Sequence, residues 1–353
     1  MTGKRLFALD ALRGVAAMVV LLHHAEREFA LFPLFAYGYL AVDVFFLMSG
    51  YVIASAYEPR MGRGMGLRAF LAIRMARLYP MIWLGGLLGI IAGLFVAVDL
   101  GGAPLWLAGI SAMTALPLLW TAAELFPLNA PLWSILFEIV TNALHRVLAP
   151  VLSIRVLGAI LILSLALLLV AGWRLHGLAN GFSPETFWGG FPRVLLSYFA
   201  GVLIWRTRAV WQPRTPCLPL WLLLAGFLAV VLFEVMLAGI VPASAYWLGA
   251  VLFAFPPGLM LLTRSRVPEK AERIAAALGD LSYPLYAIHL PLLLLLTPWV
   301  LRLEDAAART IAMVIVAIAI ALLSWGLERV YDGPLRRRLA PARAGRGSAV
   351  TAA

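Results

Sequence analysis

Long apolar runs separated by short polar breaks recur from Leu6 to Tyr331, and roughly 20 apolar residues are what one helix needs to cross a bilayer. Ten spans are predicted, over 6–28, 38–57, 78–99, 131–151, 155–173, 191–208, 217–238, 243–263, 281–301 and 308–331. All are expected to be helical, because hydrocarbon leaves a single segment no other economical way to satisfy its backbone groups. The predicted fold class is all-α: a polytopic membrane protein of about ten transmembrane helices. An eleventh apolar stretch, Leu105 to Leu125, would move every later basic loop to the other side if it crossed fully. Broken by Pro117, Pro127 and Pro131, the segment 104–130 is instead expected to be re-entrant or interfacial.

Charge then sets orientation. With the amino terminus inside, the loops holding Arg60, Arg63, Arg68, Arg74 and Arg77, then Arg206, Arg208 and Arg214, then Arg264, Arg266, Lys270 and Arg273 fall inside, as does the segment with Arg336, Arg337 and Arg338. Arg27, Arg174, Arg193, Arg302 and Arg309 fall outside. This asymmetry obeys the positive-inside rule and predicts cytoplasmic termini. Composition agrees: of 353 residues, 63% are hydrophobic and 13% charged, a balance that needs lipid as solvent. The net charge of +11 is carried by short loops between spans, so it reads as topology and not as a nucleic-acid surface. A lone Cys217 excludes an intrachain disulfide and a thiolate metal cage, and no metal is expected. Asp10, Arg13, His23 and His24 inside the first apolar run exclude a cleaved signal peptide. The chain divides into a membrane domain, 1–338, and a tail, 339–353, whose Ala, Arg, Gly and Ser have no apolar face to bury and are expected to be disordered.

The sharpest candidate chemistry lies in the first helix. Arg13 and His24 are eleven positions apart, which returns them to within roughly 20° of one face and separates them by about 16 Å. An Arg at that depth is costly unless it is paired or faces water. Two readings stand: a pair with Asp10 one turn away, or a polar stripe leading to His24.

The motifs around these residues resemble the bacterial acyltransferase family 3, integral-membrane O-acyltransferases of surface and secreted glycans. They are LDALRGVAAMVVLLHH at the start, YLAVDVFFLMSGYVI at 39–53, RMARLYP at 74–80, PLWSILFEI at 131–139, SYPLYAIHLPL at 282–292 and the acidic-then-Pro-Leu-Arg-Arg segment at 328–337. The resemblance runs from Leu9 to Arg338. It implies that His24 is the essential histidine and Arg13 its companion, and that Arg74 and Arg77 are the family's Arg-x-x-Arg pair. The donor it implies is cytoplasmic acyl-coenzyme A, acetyl first among the acyl groups, used as a co-substrate. The two arginines, three apart on one helical face, suit its phosphates, and a histidine suits the base that a sugar hydroxyl needs. The implied acceptor is a glycan or lipid-linked sugar, and the implied location is the bacterial inner membrane.

Around this pair, Asp43 is a candidate to hold Arg13 or orient His24, and Ser49-Gly50 to admit a close backbone approach. Ser49, Trp133, Glu138 and His289 are placed on the substrate side. Glu138 matches only in part, because Ile139 stands where a second acidic residue is usual. Of Glu328 and Asp332, Glu328 is favoured as the acidic residue of the last helix. A plainer reading of His289 has it bond a carbonyl freed by Pro291. The competing functional class is a transporter or flippase of a lipid-linked sugar, with the same polar residues binding and relaying a proton.

Overall fold

The computed structural model describes residues 6–121, 124–175, 177–237 and 239–339. The tail from Ala340, expected to be disordered, and His176 lie outside the described residues. Among those described there are only helices: α1 (Phe7–Glu28), α2 (Leu40–Met61), α3 (Leu67–Phe95), α4 (Leu105–Thr114), α5 (Leu132–Leu148), α6 (Ile154–Leu175), α7 (Phe187–Trp211), α8 (Leu220–Leu237), α9 (Ala243–Arg264), α10 (Glu269–Val300) and α11 (Ala306–Leu339). Single π turns interrupt α9 at Ala250–Ala254 and α11 at Glu328–Asp332.

Nine of these helices are long and apolar enough to cross a membrane, where ten were expected. The difference is α5, whose 17 residues reach only about 26 Å. An irregular lead-in makes up the rest of the passage. Glu124 meets Arg27 at the end of α1, 3.3 Å away; Leu128 packs against Gly89; Asn129 donates to the Ala287 carbonyl. Glu138 then meets Arg74, and Arg146 donates to the Met65 carbonyl just before α3. Residues 124–146 therefore run from one end of the bundle to the other. Nine continuous helices and this composite passage make ten crossings, which leaves the ends of the described chain on one side.

Of the segment 104–130, the part up to Thr121 does not cross; its last residues, from Glu124, open the composite passage. The ten residues of α4 run back along α3, from Leu105 beside Gly93 to Ala112 beside Gly86, and Thr114 accepts from the Tyr79 hydroxyl at 3.0 Å. Ala115, in the left-handed region at φ 55°, turns the chain there, and the Leu118 amide bonds the Leu125 carbonyl. This is the expected re-entrant element. Of the irregular backbone, the part from Leu125 to Asn129 is buried inside protein, as such backbone must be within a membrane, whereas Leu116, Leu119 and Trp120 are exposed.

Glycine sets the closest helix pair. Gly50 of α2 lies against the Tyr198 backbone of α7, and Gly201 of α7 against Leu47 of α2, so a methyl group on either would run into a carbonyl. Gly50→Ala is expected to cost about 1–3 kcal/mol through this overpacking, read as a lower melting temperature of the detergent-solubilised protein.

Several helices start earlier or end later than hydropathy predicted. The start of α3 at Leu67, not near 78, matters most, because it carries Arg74 and Arg77 into the bundle on a rigid element.

Candidate active site

A cavity of about 270 Å³ opens among α1, α2, α3, α5 and α10. It gathers Arg13, Arg74, Arg77, Ser49 and Glu138 from four helices, five of the residues singled out by sequence. Arg74 is buried and donates to Glu138 Oε1 at 2.6 Å, and the Ser49 hydroxyl donates to the same oxygen at 2.8 Å. Arg13 donates to the Gly279 carbonyl at 3.1 Å and lies 3.7 Å from Asp10 Oδ1, so the neighbouring-turn pair and the cavity-facing position both hold. Arg77 keeps its exposed surface toward the cavity and makes no ion pair or hydrogen bond with any described residue. Three guanidiniums thus face one carboxylate in the lining, and with Asp10 beside Arg13 a surplus of one positive charge remains, which suits an anion.

His24 is not part of this lining. The far wall of the cavity is Phe45 and Tyr286, whose rings meet at 5.7 Å, and the Tyr286 hydroxyl lies 2.6 Å from Ser134 Oγ. Behind that wall the Tyr286 ring lies 5.8 Å from His289, and the His289 ring lies 5.0 Å from His24. The stripe from Arg74 and Arg77 through Arg13 to His24 is therefore divided by an aromatic partition.

The two histidines constrain each other. His289 Nδ1 sits 2.9 Å from the Tyr286 carbonyl and 3.1 Å from that of Leu285, so Nδ1 bears the proton and Nε2 a lone pair. That Nε2 lies 3.2 Å from His24 Nδ1, which is also 2.9 Å from the Val20 carbonyl. His24 Nδ1 must then be the protonated nitrogen, leaving Nε2 as its basic atom. Among the described residues Nε2 has no hydrogen-bond partner. His289 does not cap the carbonyl freed by Pro291; that carbonyl, on Ala287, is taken by Asn129 at 2.9 Å.

Three expectations are corrected. Asp43 touches neither Arg13 nor His24: it pairs with Arg193 of α7 at 2.8 Å and also accepts from the Trp247 indole at 3.0 Å. Trp133 faces away from the cavity and lies under the Arg193 guanidinium, 5.2 Å from it. Glu328 lies at the opposite end of the bundle from His24, paired with Arg336 at 2.6 Å in the π turn of α11. In the same turn Asp332 is fully buried, 3.3 Å from Arg336 Nε, with no hydrogen bond to either carboxylate oxygen. Arg193, Tyr286 and Ser134 were given no role in the sequence, although the first was counted among the outer basic residues and the other two lie in the quoted motifs. Arg193 stood at a predicted helix end, where an exposed Arg is ordinary, and a lone tyrosine or serine on a helix carries no distinctive spacing.

A membrane-embedded helical bundle with a cationic cavity on one side of a histidine pair is an arrangement that group transfer within a membrane can use. The chain belongs to acyltransferase family 3: the family model, described as an acyltransferase domain, matches residues 6–328. It is an acyltransferase that moves groups other than aminoacyl groups. The chain is also similar to "Protein 2 in picA locus" of Rhizobium radiobacter, with 36% identity over 160 residues, 40% of this chain and 81% of that protein. No solved structure matches it.

Proposed function

We propose that the protein is an O-acyltransferase that takes an acyl group, acetyl by preference, from acyl-coenzyme A and passes it to a hydroxyl of a glycan or lipid-linked sugar, with His24 as general base. The observation that carries this reading is the His24–His289 pair, which leaves His24 Nε2 as a lone-pair nitrogen without a partner among the described residues. In this reading both termini are cytoplasmic and the membrane is the bacterial inner membrane, as the basic loops favour.

The cationic cavity then opens on the donor side. Its volume falls just below the roughly 300–1,000 Å³ of pockets that swallow a whole drug-sized ligand. It suits a slender pantetheine arm, with the nucleotide held outside and its phosphates met by Arg77 and Arg13. The hydroxyl proton passes to His24 Nε2 as the oxygen attacks the thioester carbon. Collapse of the tetrahedral intermediate breaks the carbon–sulfur bond, and the leaving thiolate takes the proton from the imidazolium. An acyl group carried first on His24 would use the same nitrogen. Either order requires the Tyr286–Phe45 partition to open, since the thioester must pass from cavity to histidine.

Purified protein in nanodiscs, given radiolabelled acetyl-coenzyme A and an extract of bacterial glycans, is expected to leave label on the glycan. A flippase would leave none. Arg77→Ala is expected to raise the donor KM about 10- to 100-fold with kcat little changed, because it removes a charge-assisted contact present in both ground and transition states.

A further inference from the structure

Glu234 is unexplained by the donor path. It sits near the end of α8, a helix whose buried residues are only Phe227, Val231 and Glu234, one stripe turned toward the bundle. Its side chain is buried, yet no described residue gives it a hydrogen bond or ion pair, and Oε2 has no accessible surface. A buried carboxylate with nothing among the described residues to hold it points to a ligand.

What surrounds Glu234 is aromatic and hydroxylated. The Tyr246 hydroxyl donates to the Val230 carbonyl, one turn before Glu234 on α8. The Tyr246 ring lies 6.5 Å from Tyr37, and Tyr37 lies 5.6 Å from Tyr39. Tyr39 lies 6.3 Å from His23, and His23 lies 5.1 Å from His24. A file of rings therefore runs from Tyr246, which is bonded to α8 one turn from Glu234, to the proposed base. Burial and the charge of Glu234 push the Tyr37 hydroxyl up, which keeps it a donor.

We propose that Glu234, Tyr37 and Tyr246 form a subsite for a saccharide ring of the acceptor, closed in this structure: once Tyr37 moves aside, the carboxylate accepts from a sugar hydroxyl and the tyrosine rings cover the C–H face. The direction of transfer rests on the acyltransferase reading; the binding does not. An anion is disfavoured, because a carboxylate only accepts and the nearby Arg193 is committed to Asp43. A metal ion is disfavoured too, because no three His, Cys, Asp or Glu among the described residues are placed to hold one. An amphipathic ligand with hydroxyls on its edge and C–H groups on its face matches both parts of the lining. Tyr37 is carried on the turns between α1 and α2 and not on a helix, so it is the ring that swings aside to admit the sugar.

The test is saturation-transfer NMR on the protein in nanodiscs with the methyl glycosides of glucose, mannose and N-acetylglucosamine at millimolar concentration. At least one glycoside is expected to receive saturation from wild type and from His24→Ala alike. The signal is expected to fall about tenfold in Glu234→Leu and in Tyr37→Ala. Glu234→Leu is expected to melt no lower than wild type, since it removes a partnerless buried charge, so loss of signal there is loss of the site. In turnover, Glu234→Gln is expected to raise the acceptor KM about tenfold and leave the donor KM unmoved. Absence of saturation transfer to wild type, or a signal that Glu234→Leu leaves intact, overturns the subsite. Binding without any acylation by wild type would instead overturn the transferase reading and leave the subsite standing.

Discussion

His24→Ala is expected to lower acyl transfer by about 10²- to 10⁴-fold, the range that a positioned general base contributes, while the melting temperature stays near wild type. The measurement is single-turnover transfer from radiolabelled acetyl-coenzyme A at saturating donor. His289→Ala should fall less, about 10- to 100-fold in kcat, because it removes one of the two acceptors that hold the His24 ring, leaving the Val20 carbonyl and the base itself in place. His289→Gln is expected to recover part of that loss, since an amide oxygen can accept from His24 Nδ1 as the imidazole nitrogen does. A purely structural His289 would show no such ranking between Ala and Gln. Full transfer by His24→Ala would remove the base from the mechanism and favour the transport reading.

That pairing shows how far the sequence could be read. Hydropathy located the spans because each must present about 20 apolar residues to lipid, and the re-entrant segment was legible because its prolines cannot continue a helix. The clustering of Arg13, Arg74, Arg77, Ser49 and Glu138 was legible only as five separate signals; the cavity that joins them depends on four helices meeting. Asp43 and Glu328 show the limit. An acidic residue in a span announces that it has a partner, yet it does not say which helix supplies it. Asp43 finds Arg193, 150 positions away, and Glu328 finds Arg336, eight positions away. The tenth crossing was read by length as a helix, whereas its first third is irregular backbone held by Asn129 and Gly89, contacts that no local pattern announces.

The Asp43–Arg193 pair is expected to give the largest stability effect. Both side chains are almost completely buried, and each is satisfied: Arg193 donates to both carboxylate oxygens and to the Asn180 carbonyl, and Asp43 also accepts from Ser197 and Trp247. Breaking such a pair strands a charge where neither water nor a counter-ion reaches it, at a cost of about 3–5 kcal/mol. Asp43→Ala and Arg193→Ala are each expected to lose most folded protein, measured as the monodisperse fraction on size exclusion and by thermal melting. The double variant Asp43→Leu with Arg193→Met removes both charges and fills most of the space, so it is expected to recover melting to within about 1–2 kcal/mol of wild type. Transfer activity in that double variant settles what Asp43 does. Recovered folding with recovered transfer makes the pair a clamp that ties α2 to α7 beside the proposed acceptor route. Recovered folding without transfer gives Asp43 a direct part in the chemistry, despite its distance from the cavity lining.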